Sequence, residues 1–433
     1  MFARFLAALF LLAASATAIA GPKIEHWTLA NGARVYFVPA RELPMVQLRA
    51  VFDGAAQRDP AARHGLAHLT GLMLREGTGT LTADDVARRF EGLGAEFSAG
   101  ADREMATVSL RSLTDTALFE PAVDLFTRLL AAPSFPEPSL ARERARLRVA
   151  LQKDRQTPGA VIQKDFFRAL YGDHPYAREP IGDEAGLDAI RREDLVAHHR
   201  RYYTGRNALL VIVGNLSGRE ARQVATRVLG GLPAGEPAPP TPPVPAPAPR
   251  EELIRFPATQ SHIRLGQPGL ARHDPDYFAL FVGNYILGGG GLVSRLSVAV
   301  REQRGLSYSV YSYFYPMRER GPFVLGLQTR NDQRREALAV VRQVLAGFIA
   351  DGPTEAELEA AKKHLTGSFP LRLDSSGKIA DNLAVIGFYR LPLTYLDDFI
   401  PNVEKVTVAQ VRDAFRRRVQ PDKMVTVIVG GQE

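Results

Sequence analysis

Nine of the 30 prolines fall within residues 233–249 (PAGEPAPPTPPVPAPAP). No helix or central strand tolerates that density, because each proline fixes φ and removes a backbone donor. The segment must run as an extended, semi-rigid spacer. Set at residues 233–250, it divides the chain into residues 21–232 and 251–433, and these parts look alike. Each ends in an apolar, β-branched run closed by glycine, NALLVIVG (207–214) and KMVTVIVG (423–430), 216 positions apart. Short helical patterns at 190–199 and 406–415 precede these runs at the same offset. Further upstream, residues 108–130 and 323–349 each read as an alternating strand followed by an Asp-led amphipathic helix, offset by 216 or 217. Helical stretches near 138–152 and 355–367 follow in register. Similarities in one order at one offset predict an internal duplication.

Strands and helices mix in both parts without strict βαβ alternation, as in VYFVPA (35–40) and VQLRAVF (46–52) ahead of a helix from about residue 64. The expected fold class is therefore α+β: two homologous domains, each a mainly antiparallel sheet with helices packed on one face. Held on a stiff linker, they are expected to face each other across a cleft, a favoured place for ligands.

Composition narrows the chemistry. The chain has no cysteine, which excludes disulfides, thiolate metal sites and a cysteine nucleophile. A metal would need His, Asp or Glu, and there are nine histidines. Residues 1–20 (MFARFLAALFLLAASATAIA) carry one basic residue, Arg4, an apolar run from Phe5 to about Ala14, and a small-x-small site at Ala18-Ile19-Ala20. That is the pattern of a cleaved secretory signal peptide. Its apolar run is shorter than the roughly 20 residues of a spanning helix, so a periplasmic or secreted chain without an integral membrane segment is expected. The formal charge of +7 is interspersed with acidic residues, with no long basic block, so nucleic acid is not an expected partner.

Residues 64–78 read HGLAHLTGLMLREGT. Leu66, Leu69, Leu72 and Met73 are spaced for the buried face of a helix that Gly77 stops. On such a helix His64 and His68, four apart, would share a face and offer a zinc pair. A hydrolytic site also needs a carboxylate beside the metal-bound water, and position 67 is Ala.

The frame resembles the zinc helix of the pitrilysin/insulinase metallopeptidases, whose inverted motif runs H-x-x-E-H with Gly-Thr five residues on. Anchored on Ala67-His68 and Gly77-Thr78, the first His is kept as His68, the catalytic Glu position is Gly71 and the second His position is Leu72. The family's third ligand, a Glu expected at positions 148–150, is replaced by Arg148, Val149 and Ala150. The resemblance therefore implies a degenerate site (His68, Gly71, Leu72) that binds no catalytic zinc. His64 is the one nearby substitute ligand, and Glu76 lies about two helical turns past His68, too far to replace the missing carboxylate.

Residues 287–315 read LGGGGLVSRLSVAVREQRGLSYSVYSYFY. Leu292, Val293, Leu296 and Val300 mark a helix, Gly305 sits where a left-handed C-terminal residue is expected, and a strand with Tyr308, Val310, Ser312 and Phe314 on one face follows. The second homologous domain of the same family carries a similar frame, R-E-x-R-G-L-x-Y, whose Arg and Tyr reach the substrate carbonyl. The resemblance puts those roles on Arg301 and Tyr308, where a guanidinium and a phenol can stabilise charge developing on the carbonyl oxygen. Gly288, Gly289, Gly290 and Gly291 form an unbroken run that is either a mobile or a closely approached loop. The resemblance, through the glycine-rich loop of processing-peptidase non-catalytic subunits, links them to peptide substrate.

The expectation is a non-catalytic subunit of a heterodimeric zinc metallopeptidase in the bacterial envelope, with zinc in a homologous partner and Arg301 and Tyr308 contributed in trans to a peptide substrate. A structural scaffold and an autonomous peptidase with rearranged ligands are the alternatives.

Overall fold

The computed structural model describes residues 21–246 and 248–431. The expected signal peptide lies outside the described residues.

In the first half the strands are β1 (Glu25–Thr28), β2 (Arg34–Pro39), β3 (Met45–Phe52), the two-residue pair β4 (Gly77–Thr78) and β5 (Leu81–Thr82), β6 (Glu96–Ala101), β7 (Ala106–Leu113) and β8 (Ala208–Gly214). In the second half they are β9 (Arg250–Arg255), β10 (Gln260–Pro268), β11 (Val310–Phe314), β12 (Pro322–Arg330) and β13 (Val425–Gly430). One sheet has the order β1-β2-β8-β3-β7-β6, the other β11-β12-β10-β13-β9. Without β1, the first order read as β2-β8-β3-β7-β6 repeats in the second as β9-β13-β10-β12-β11. Even the single parallel pair recurs, β2 with β8 and β9 with β13, all other pairs being antiparallel. The repeated strand order is the three-dimensional counterpart of the 216-residue offset, and the α+β class is the one expected.

The runs that carry the offset lack polar alternation because both their faces are covered, as in buried strands generally. In β8, Ala208, Leu210 and Ile212 pack with helices of the first half, among them Thr116–Ala131 and Gly218–Leu229. Leu209, Val211 and Val213 point the other way, into a core shared with the second half. There the helix Ser376–Tyr389 lies across β8 and β3, with Gly387 tight against the Tyr36 ring. The second sheet is treated in the same way. Helix Pro158–Tyr171, from the first half, lies across β13 and β10 and buries Ile162, Phe166 and Leu170 with Val425, Val427 and Val429. Each such buried Leu, Ile or Phe is worth about 1.5–3 kcal/mol. The two helices stand 218 residues apart at their first positions, so the halves exchange matching elements.

Helices of the same half cover one face of each sheet, as expected, and the exchanged helix covers the other. The cleft expected between the halves is filled at this junction by packed side chains. Its polar centre is Glu104, in the turn between β6 and β7, only 2% exposed. It accepts hydrogen bonds from Tyr176 Oη at 2.5 Å, Tyr389 Oη at 2.6 Å and the Arg318 backbone N–H at 3.1 Å. Burial pushes its pKa up, and the two phenols act in the opposite sense.

The proline-rich segment is extended as expected, but it is strapped down. Pro233 and Ala234 carbonyls accept from Gly205 and Arg206, Asn207 bonds Glu236 and Ala238, and Thr241 Oγ1 donates to Gln57 Oε1 at 3.0 Å. Val244 is buried, and its carbonyl accepts from Arg320 of the second half.

Candidate functional site

The degenerate zinc helix spans Leu66–Met73, starting two residues later than a His64/His68 face requires. Gly65 stands ahead of it in the left-handed region, φ +96°, so His64 precedes the first turn and does not share a helical face with His68. Asp59 organises this entry. Its carboxylate accepts from the Gly65 and Ala67 N–H groups, each at 2.8 Å, while burial pushes its pKa up to about 7.

The side chains here do not fit a zinc ion. His64 Nδ1 is engaged by Asp183 Oδ2 at 2.8 Å. His68 Nδ1 faces the Ala101 carbonyl at 3.3 Å. Burial lowers the His68 pKa, and the nearby Arg146 cation lowers it further. At Gly71 an added Cβ would stand 2.9 Å from both Cα and the carbonyl carbon of Gly100 on β6, so the family's carboxylate has no room. Leu72, half-buried, packs against the apolar core of the first half, and Arg148 is paired with Asp188. Glu76 is occupied by Arg142 and Arg75. Among the described residues no three His, Cys, Asp or Glu side chains group as a ligand set.

In the second half the corresponding corner is open. The helix expected from Leu292 is instead broken, with Gly291–Val293 a 3₁₀ turn and Ser297–Glu302 a π-helical segment that carries Arg301, and ahead of it Tyr285–Gly289 forms a further π-helical turn. Single π turns are frequently found at functional sites. Gly305 closes the segment at φ +62°, in the left-handed conformation read from the sequence. Tyr308 precedes β11 rather than lying in it, and its side chain is 83% exposed. Spacing and turn together bring the expected pair into contact, with the Arg301 guanidinium carbon 4.6 Å from the centroid of the Tyr308 ring.

The glycine run is a close approach. A Cβ on Gly288 would fall 2.4 Å from Ser312 Oγ and 2.6 Å from Ser312 N. Ser312 and Asn284 lock this contact through two buried hydrogen bonds, Ser312 Oγ to Asn284 Oδ1 at 2.7 Å and Asn284 Nδ2 to the Ser312 carbonyl at 3.0 Å. Gly289 and Gly290 press on Asn284 and Tyr285, and Gly291, φ +64°, turns the chain outward into open space.

A cavity of about 700 Å³ lies beside this run, bordered by Gly288, Gly289 and Gly291, by Arg301 and Tyr308, and by β11, which forms one edge of its sheet. Two further features escaped the sequence reading. Arg295 holds the segment ahead of Arg301 through a bidentate pair with Glu357, 2.7 Å at each oxygen, and this hydrogen bonding pushes Glu357 down to about 2. Arg272 lines the cavity from a loop that carries no motif, so no sequence signal pointed to it. No helix among the described residues is long and apolar enough to cross a membrane.

Comparison with known proteins agrees with this geometry. Residues 44–184 match the family described as insulinase (peptidase family M16), and residues 189–365 match the peptidase M16 inactive domain. A peptidase M16 inactive domain from Pseudomonas fluorescens superposes with a TM-score of 0.92 at 40% identity, covering 95% of this chain and 99% of that one. An uncharacterised zinc protease of Mycobacterium leprae is 30% identical over 399 residues, covering 89% of this chain and 86% of its own. The periplasmic protease PqqL of Escherichia coli shares the fold, with a TM-score of 0.80 at 19% identity, covering 95% of this chain and 46% of that one. With a zinc helix closed against its neighbouring strand and an inactive-domain match beyond it, this chain belongs to the insulinase family, peptidase family M16, as a non-catalytic member.

Proposed function

We propose that this chain is the substrate-binding subunit of a two-chain zinc metallopeptidase that acts on peptides in the bacterial envelope. The observation that carries this reading is the Arg301–Tyr308 contact at the mouth of an open cavity, in a chain whose own zinc helix cannot accept the missing ligands. A homologous partner would hold the metal and its water. Arg301 and Tyr308 would bind the peptide carbonyl and stabilise the oxyanion, each as a preorganised donor. The exposed edge of β11 offers backbone groups for pairing with an extended peptide. The length relation to PqqL supports a two-part enzyme, since this chain corresponds to about half of that protease, and the periplasmic location named for PqqL supports the compartment.

The test is reconstitution. The mature chain alone should contain no stoichiometric zinc and cleave no peptide, whereas mixing with a homologue bearing an intact H-x-x-E-H should produce cleavage. In the mixture, Arg301→Ala and Tyr308→Phe should each lower kcat about 10²–10³-fold, the worth of one oxyanion donor. Turnover by the chain alone would overturn the reading. Activity of the mixture unaffected by either substitution would leave a scaffold role in its place.

A further inference from the structure

The cavity beside the glycine run has a one-sided chemistry. Arg272 and Arg301 line it, and no Asp or Glu does. Neither guanidinium has a carboxylate partner among the described residues. Arg272 rests on the Tyr389 ring at 4.8 Å, and its Nε is shut off from solvent without a hydrogen-bond partner. Such a donor is costly in a folded protein unless something else accepts from it. Other arginines near this cavity are neutralised: Arg295 by Glu357, and Arg417 and Arg418 by Asp276. A cavity of similar volume in the first half, by contrast, mixes Arg75 and Arg111 with Glu76, Asp84, Glu91 and Glu96.

The walls are aromatic. Tyr277 and Phe281 stack at 5.8 Å, and Tyr311 and Tyr313 at 6.0 Å on the strand opposite. Leu292, 57% exposed, and Tyr308 form an apolar rim. The terminal N–H groups of a guanidinium without a carboxylate partner can make two parallel hydrogen bonds and so select a carboxylate, and flat aromatic faces select a planar or apolar side chain beside it.

We propose that this cavity is a peptide subsite for a carboxylate flanked by an aromatic or large apolar residue, with Arg272 as the anion-binding group. The proposal rests on the peptide-handling reading above and narrows it: cationic peptides are disfavoured, because Arg272 and Arg301 both repel them and no acid compensates. The carboxylate comes either from a free C-terminus or from an Asp or Glu side chain, and the two sources are separated by the probes below.

The experiment is fluorescence anisotropy on the mature chain alone, which needs no partner and so can fail or succeed independently of reconstituted cleavage. The probes are the labelled peptide Ala-Gly-Ala-Ala-Phe with a free C-terminus, its C-terminal amide, the amide with Glu before Phe, and the amide with Lys before Phe. Binding is expected for the free acid, the Glu amide or both, and about tenfold or more weaker for the plain amide, as one charge-assisted hydrogen bond dictates. The Lys amide should bind weakest. Arg272→Gln should abolish the preference for acid over amide, and Arg272→Lys, which keeps charge but not the fork, should retain part of it. Circular dichroism checks that both variants fold. Equal affinity for acid and amide forms, an acid preference that survives Arg272→Gln, or no binding of any probe would overturn the proposal.

Discussion

Gly71 and Gly288 stand 217 residues apart and occupy the same corner of the two halves, where a helix or turn meets the edge strand of its sheet. In the first half Gly71 lets helix Leu66–Met73 press on Gly100 of β6, and the chain goes on helically through Leu72 and Met73 into core. In the second half Gly288 lets the π turn press on Ser312 of β11, and the chain then leaves through Gly291 to build a cavity wall and deliver Arg301. One contact, made twice, closes a site in one place and frames one in the other. What separates them is the residues that follow the glycine, together with charge: the first corner is neutralised internally and the second is left with unpaired cations.

The largest effect should come from forcing the first corner back to the family motif. Gly71→Glu with Leu72→His puts a carboxylate against the Gly100 backbone and should cost about 3 kcal/mol or more, read as a loss of Tm, with no zinc retained after dialysis. A double variant as stable as the parent and holding stoichiometric zinc would break the comparison. Gly288→Ala, its mirror, should cost about 1–3 kcal/mol by overpacking against Ser312.

A mid-sized effect separates the carboxylates ahead of the two helices. Asp59 has a folded-state pKa above its ordinary value, so the folded protein keeps the proton where the unfolded chain has lost it. Its contribution to unfolding free energy therefore falls as pH rises from about 4 to about 7, and is flat above. Asp276, ahead of helix Tyr277–Asn284, is held below its ordinary value by hydrogen bonds from Arg417 and then Arg418. Its contribution is present above about pH 4 and is lost only as pH falls further. Urea titrations between about pH 5 and about pH 7 should show that Asp59→Asn removes a slope, whereas Asp276→Asn lowers stability by the same amount throughout.

The smallest effect tests whether the second corner's exposed pair belongs to function alone. Tyr308→Phe and Arg301→Ala should change stability by no more than about 0.5 kcal/mol, as for surface positions without buried partners. A larger loss in thermal unfolding would make the pair part of the fold.

The duplication was legible because both β-branched runs sit in the same doubly covered position, which leaves an unbroken apolar pattern. Arg301 and Tyr308 were singled out by the resemblance of their frame to the family's, and Gly305, in the left-handed conformation expected there, closes the turn between them. The pairing of His64 with His68 was misread because a glycine at φ +96° starts the helix after His64. Tyr308 was read into the strand because alternation continues past the strand's true start. Helix exchange was not legible: the apolar face of 158–171 shows that something covers it, but periodicity carries no information on whose sheet that is. Arg272 was invisible for a related reason, since its role depends on the absence of acids contributed by segments far from it in sequence.

The exchanged helices Pro158–Tyr171 and Ser376–Tyr389 bear on motion. A hinge between the halves would have to lift both helices from the opposite sheets at once and break the bonds to Glu104, uncovering two apolar faces in a single step. Small domain rotations of the kind that open and close many two-lobed proteins would therefore cost this chain both covered faces together. In the two-chain enzyme proposed above, a gate that admits substrate would then lie between the chains, its opening set by the strength of their contact rather than by flexibility within this one.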